Sequence, residues 1–260
     1  MELIKTADSK YEEYEALLLE RDQVEKEAGQ IWTAYMKEFG QLIVDVFEKK
    51  VESIKRKKII AYYQMQINRG EKIDPAAMEE YLKREMAAYY AQLRELIGSM
   101  KRCKGSKNSS PYEVKRSKLL YRRIAKLIHP DINPETDRNE QLRELWERTL
   151  RAYHANNVKE LSEIEVLVRK VLKDLGLGDV KVDIPDTLDR INDLKKEIAD
   201  ITTTEPYIYK YLLESDDKVT GKKEELQKEL DSYIHYIKQL DETIEELVVN
   251  GGVVVKWQMN

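Results

Sequence analysis

Cysteine is nearly absent from this chain of 260 residues: there is one, Cys103. A lone cysteine excludes an intramolecular disulfide and any cysteine-rich zinc module, and it is compatible with a reducing compartment. Glycine (10) and proline (6) are scarce, and there are only 2 Phe beside 16 Tyr. Such a profile argues against loop-rich sheet folds and favours long solvated helices. No apolar run approaches the roughly eighteen residues that a membrane-spanning helix needs. The opening MELIKTADSKYEEYE has no apolar core of signal-peptide length. The expectation is a soluble cytoplasmic protein with no membrane association. A net charge of −4 gives no global field toward nucleic acid or membrane.

What is abundant is charge, 36% of the residues, laid out between apolar stripes at helical spacing. Tyr11, Tyr14, Leu18, Ile31, Tyr35, Phe39, Leu42, Val46, Ile59, Tyr63 and Ile67 read as one very long helix or two collinear ones. Gly29 and Gly40 weaken it, by about 1 kcal/mol each relative to alanine, and either could mark a bend. Asn68-Arg69-Gly70 supplies a left-handed terminus, and Asp74-Pro75 supplies the cap and first turn of the next helix. That helix carries Met78, Tyr81, Leu82, Met86, Leu93 and Ile97, so residues 1–102 read as an antiparallel hairpin arm. Its tyrosines, Tyr62, Tyr63, Tyr81, Tyr89 and Tyr90, are expected at the edges of the core with hydroxyls reaching water.

A polar loop follows from Cys103 to Pro111, and Ser110 with Glu113 forms a capping box for a basic amphipathic helix ending near Ile128. Beyond the corner His129-Pro130-Asp131, Asp137 with Glu140 is expected to cap a helix bearing Leu142, Leu145, Trp146, Leu150 and Tyr153. Asn157 with Glu160 is expected to cap a third, carrying Leu161, Ile164, Val168, Val171 and Leu175 and ended by Gly176 and Gly178. The segment 103–157 thus separates the first arm from a helical and coiled-coil region, 158–260. There, past Pro185, Leu188, Ile191, Leu194, Ile198 and Ile201 form one stripe. Leu226, Leu230, Tyr233, Ile237, Leu240, Ile244 and Leu247 form a coiled-coil seam. Its expected partner is the 188–201 stripe, with self-association as the alternative. The tail from Asn250 to Asn260 breaks the pattern.

The corner is the segment with chemistry. Proline fixes one backbone angle and deters helix continuation, so the imidazole of His129 and the carboxylate of Asp131 are expected exposed and pre-oriented. Beside them the helix is strongly basic: from Lys101 to Lys126 there are ten Lys or Arg and one acidic residue, Glu113.

The run Tyr121-Arg-Arg-Ile-Ala-Lys-Leu-Ile-His-Pro-Asp-Ile-Asn-Pro134, with Trp146 and the pair Ala152-Tyr153 downstream, resembles the J domain of DnaJ-type co-chaperones. The resemblance covers roughly residues 110–157. It implies a helix, a His-Pro-Asp loop and an antiparallel helix that dock on a DnaK-type heat-shock chaperone and stimulate its ATPase. By position, Tyr121, Arg122, Arg123 and Lys126 match the basic docking face, and His129, Pro130 and Asp131 match the triggering loop. Ile124, Leu127, Trp146 and Tyr153 match the hairpin core or its edge. The sequence departs from the family at Ile132, where a basic residue is usual, and at Thr149, where an apolar one is. It also lacks the first-helix motif, for which the end of the 75–101 helix is the expected substitute. No glycine/phenylalanine-rich segment and no Cys-x-x-Cys module is present.

The fold class expected is therefore all-α: elongated, antiparallel helical hairpins or coiled coil around a central J-domain-like hairpin. The function expected is that of a co-chaperone with arms for targeting. The alternative is a coiled-coil scaffold with a degenerate, purely structural hairpin. Nucleic acid is a weaker reading, since no aromatic stacking platform is expected on the basic side. No cofactor, metal site or enzymatic activity is expected: His154 and His235 stand alone, Cys103 has no histidine nearby in sequence, and no phosphate loop appears.

Overall fold

The computed structural model describes residues 2–106, 109–177 and 186–250, with side chains described between 10 and 249. Gly178, Pro185, part of the polar loop and the tail after Asn250 fall outside the described residues. Among the described residues the chain is all-α, with nine helices and no strand. They are α1 (Glu2–Arg69), α2 (Pro75–Gly105), α3 (Pro111–Ile128), α4 (Glu135–Arg138), α5 (Glu140–His154), α6 (Val158–Asp174), α7 (Thr187–Thr203), α8 (Lys210–Leu213) and α9 (Asp216–Asn250). None of them is long and apolar enough to cross a membrane.

Several termini follow from the local chemistry already noted. Ser110 and Glu113 form the reciprocal capping box of α3, and Asp74 caps α2 with Pro75 in its first turn. Gly70 and Gly176 take left-handed conformations, φ +68° and +71°, after α1 and α6. Asn157 caps α6 by accepting from the Glu160 N–H. The cap of α5 differs from expectation. Asp137 lies inside the short α4, and Asn139, in extended backbone, accepts from the Leu142 N–H instead.

The chain divides into two compact units: 1–31 with 107–208, and 32–106 with 209–260. Each draws on two separate stretches, so the division cuts across the three consecutive segments 1–102, 103–157 and 158–260. In the first unit α3 and α5 are antiparallel, with Tyr121 stacked on Tyr153 at 3.9 Å. Helix α6 packs on both. Leu120, Ile124, Ile128, Leu142, Leu161 and Ile164 make one buried cluster that Leu19 of α1 joins. The 188–201 stripe packs within this unit, on α1. Ile191 and Leu194 pack with Tyr14, Leu18 and Ile132, and Ile198 and Ile201 pack with Val24 and Ala28.

In the second unit α2 runs antiparallel to α1, with Lys58 and Glu85 paired at 2.8 Å and Met100 against Gly40. Helix α9 runs parallel to α1: Lys223 pairs with Glu38, and Arg56 lies 2.7 Å from Asp241. The α9 seam is accordingly covered within the unit. Leu226 and Leu230 pack with Tyr35, Met36 and Phe39, while Ile244 and Leu247 pack with Tyr62 and Tyr63. The seam thus has an intramolecular partner in α1. Tyr63 also departs from expectation, because its hydroxyl is buried without a hydrogen-bond partner among the described residues rather than wet.

Neither glycine of α1 interrupts the helix. A Cβ on Gly40 would lie 2.8 Å from Cγ of Met100, so this glycine permits a close approach, whereas a Cβ on Gly29 would meet nothing within 4 Å. Gly40→Val should therefore destabilise the protein by about 1–3 kcal/mol through overpacking. Gly29→Ala should stabilise it by about 0.5–1 kcal/mol through helix propensity. Urea unfolding of the two variants beside the parent checks both signs.

Candidate functional site

The site is built on α3, the loop after it, and the part of α1 that lies antiparallel along α3. The loop is closed by its own backbone. The N–H groups of Ile132 and Asn133 donate to the His129 carbonyl at 2.9 and 2.7 Å, and the Asn133 side-chain amide donates to the Leu127 carbonyl at 2.9 Å. The last turn of α3 thus has a partner for one of the carbonyls a helix end leaves open. The Asp131 N–H donates to Nδ1 of His129 at 3.1 Å. In the neutral ring this leaves the proton on Nε2.

Contrary to expectation, His129 is not exposed. Its ring is edge-on to Trp146 at 4.7 Å and only 4% of the residue is accessible. Nε2 faces Oδ2 of Asp22 at 3.6 Å. Tyr121, expected on the docking face, is buried too, and its hydroxyl donates to the same Oδ2 at 2.5 Å. Arg21 donates to Oδ1 of Asp22 through Nε and Nη2, at 3.2 and 2.8 Å. Burial alone would raise the Asp22 carboxyl; the facing His129 ring, with the hydrogen bonds from Tyr121 and Arg21, outweighs it and holds the group below the ordinary carboxylate value. The Tyr121 hydroxyl is pushed far up, by burial first and by the Asp22 charge second.

A turn further along α1, Lys26 is buried in the same interface. Its Nζ sits 3.6 Å from the centre of the Tyr153 ring and donates to Oδ1 of Asn156 at 2.6 Å. Ser117, fully buried in α3, donates to that same oxygen at 2.8 Å. Burial, and secondarily the charge of Lys118, lowers Lys26 to about 8. Asp22 and Lys26 escape a search for apolar periodicity. The signal was there, however: from Leu18 the stripe of α1 continues at steps of four into Asp22 and Lys26, and charges on a buried stripe need partners elsewhere.

The cations of α3 fall into two sets. Arg123 pairs with Glu165 of α6 at 2.7 Å, and Lys126 pairs with Glu15 of α1. Lys115, Arg116, Lys118 and Arg122 have no carboxylate within ion-pair distance among the described residues. Arg122 and Lys126 line a cleft of about 530 Å³ between α1 and α3, with Glu12, Glu15 and Tyr11 opposite. Pro130 is half-buried, and the Asp131 carboxylate is 42% exposed, 3.9 Å from Arg21. The helix laid over the hairpin is thus the beginning of α1. The end of α2, expected in that role, belongs to the other unit.

Ile132 and Thr149 gain physical reasons. Ile132 is buried against Tyr14, Leu18 and Ile191, where a basic side chain would have no water. Thr149 is fully buried, but its hydroxyl donates to the Leu145 carbonyl at 2.7 Å. Comparison with family models, with curated proteins and with solved structures found no match to this chain.

Replacing Asp22 by alanine should destabilise the protein by about 3 kcal/mol, because Arg21, His129 and Tyr121 lose a buried acceptor together; chemical unfolding measures it. The lowered Asp22 value adds a pH dependence. Its contribution is present above the ordinary carboxylate value and disappears as pH falls through the folded-state value. Lys26 acts on the alkaline side. Between about 8 and the ordinary lysine value of 10.5 the unfolded chain keeps a proton that the folded one has lost. Across that window stability rises with pH. The unfolding free energy of the parent should therefore gain on that of Lys26→Met as pH is raised through the window, and a flat difference would contradict the burial of this amine.

Proposed function

We propose that this protein is a co-chaperone that docks on a DnaK-type heat-shock chaperone through the basic face of α3 and the His129-Pro130-Asp131 loop, and stimulates its ATPase. The observation that carries this reading is the presentation of Asp131. An antiparallel α3–α5 pair holds the loop, His129 accepts the Asp131 N–H from inside, and the carboxylate is left half in water beside a basic helix. A pre-oriented carboxylate at the end of a helix whose Arg122 and earlier cations lack a carboxylate partner among the described residues can engage a charged partner without first ordering itself. In this reading His129 acts through Asp131 and is a positioning residue, while Pro130, Asp131 and Arg122 face the partner. Helices α2 and α9 serve targeting, in the cytoplasm.

One observation favours the second reading, a scaffold whose hairpin is only structural. His129, Tyr121, Arg123 and Lys126 are all engaged within the chain. Asp131→Asn separates the two readings better than His129→Gln, because the asparagine keeps the shape of an exposed side chain whereas the histidine is part of the core. Under the co-chaperone reading the parent should accelerate single-turnover ATP hydrolysis by a DnaK-type chaperone about tenfold or more, equivalent to about 1.4 kcal/mol of barrier. Asp131→Asn, with unchanged stability, should return the rate to its basal value. If the folded parent accelerates none of several such chaperones, the scaffold is the better account.

A further inference from the structure

The outward face of α3 carries more than charge. Tyr112, Lys115, Arg116, Leu119, Arg122 and Arg123 recur at steps of three and four, which places them on one side of the helix. Tyr112 is 71% exposed and Leu119 48%. Leu119 lies three or four residues from each of Lys115, Arg116, Arg122 and Arg123, so an apolar side chain stands in water ringed by cations. Tyr112 is placed likewise beside Lys115 and Arg116. An exposed leucine alone needs no explanation; one at the centre of a face whose cations mostly lack a carboxylate partner among the described residues has the make-up of an interface anchor inside a charged rim.

We infer that Leu119 and Tyr112 are apolar anchors of the docking face, and that the partner presents an apolar hollow edged by carboxylates. The centre of docking thereby shifts from the loop-proximal cations Arg123 and Lys126 toward the first half of α3. The chain itself shows which counter-group suits this helix, since both of its satisfied cations are held by carboxylates of neighbouring helices, Glu165 and Glu15. A phosphate backbone or a lipid headgroup layer would match the cations but offers no reason for a leucine at their centre. The inference rests on the co-chaperone reading, and takes the acidic surface of the DnaK-type partner as the occupant.

The test is equilibrium binding of the full chain to that chaperone in its ATP state. The variants are Leu119→Lys, Tyr112→Ala and Arg123→Ala, each first checked for parental helicity and unfolding. Leu119→Lys removes the anchor and adds a cation. Loss of about tenfold in affinity is expected for Leu119→Lys, several-fold for Tyr112→Ala, and little for Arg123→Ala, whose charge is already paired. Parental or tighter binding by Leu119→Lys would overturn the inference in favour of plain electrostatics. In that case Asp131-dependent stimulation of the ATPase would leave the co-chaperone reading standing. Absence of binding by the parent would remove both. Tighter retention of Leu119→Lys than of the parent on anionic vesicles or duplex DNA, with no chaperone binding, would reassign the face to headgroups or phosphates.

Discussion

The Asp22 carboxylate organises the first unit. One oxygen accepts from Tyr121 of α3 and faces His129 of the loop, and the other accepts from its neighbour Arg21. Three separate pieces of chain therefore converge on a group too buried to be satisfied by water. A buried carboxylate is tolerated only where donors surround it, so α1 can lie along α3 only in a register that brings Asp22 to Tyr121. The neighbouring contacts keep that register: Glu15 with Lys126 one way along the pair, and Lys26 with Asn156 and Ser117 the other. Apolar packing alone, Leu18 and Leu19 against the hairpin, would tolerate slippage. The polar pairs set the position.

This arrangement has a consequence for the loop. A histidine whose Nε2 faces Asp22 and whose Nδ1 accepts the Asp131 N–H has little freedom left to meet a partner. What it fixes directly is the backbone of the residue two places on. The charge on α3 divides in the same spirit. Near the loop, carboxylates of α1 and α6 neutralise Lys126 and Arg123, and toward the start of the helix Lys115, Arg116, Lys118 and Arg122 keep their field. Exposed pairs such as these contribute little stability. Their effect is on where the positive potential lies.

Most of the elements were legible in the sequence because helices announce their ends: Ser110 with Glu113, Asp74 with Pro75, Asn157, Gly70 and Gly176 each act within a few residues. What pairs with what was less legible. The stripe of α9 fits any apolar helix face, and nothing local distinguishes α1 from a second copy or from 188–201. Exposure at the corner was misjudged for a related reason. Periodicity places Tyr121 and His129 on α3 and at its end, but only the arrival of α1 buries them. Tyr112 lies on the basic face and is among the most exposed large side chains, a single ring rather than a stacking platform. Its place in the first turn of α3, ahead of the apolar stripe, leaves it without a neighbour to pack on.

The departures at Ile132 and Thr149 belong to the same logic as Asp22. The loop is held down after Asp131 by Tyr14, Leu18 and Ile191, so an isoleucine is the residue that fits. Thr149 is accommodated by its own helix through the Leu145 carbonyl and leaves the α3–α5 core intact. The corner is therefore held by packing and hydrogen bonds within the chain, with its conformational entropy already lost on folding. That rigidity suits docking that depends on the direction of a single carboxylate. It also suits a strut. The difference between them rests on exposed side chains that the fold engages weakly: Asp131, 3.9 Å from Arg21, and the outward Tyr112, Leu119 and Arg122 of α3.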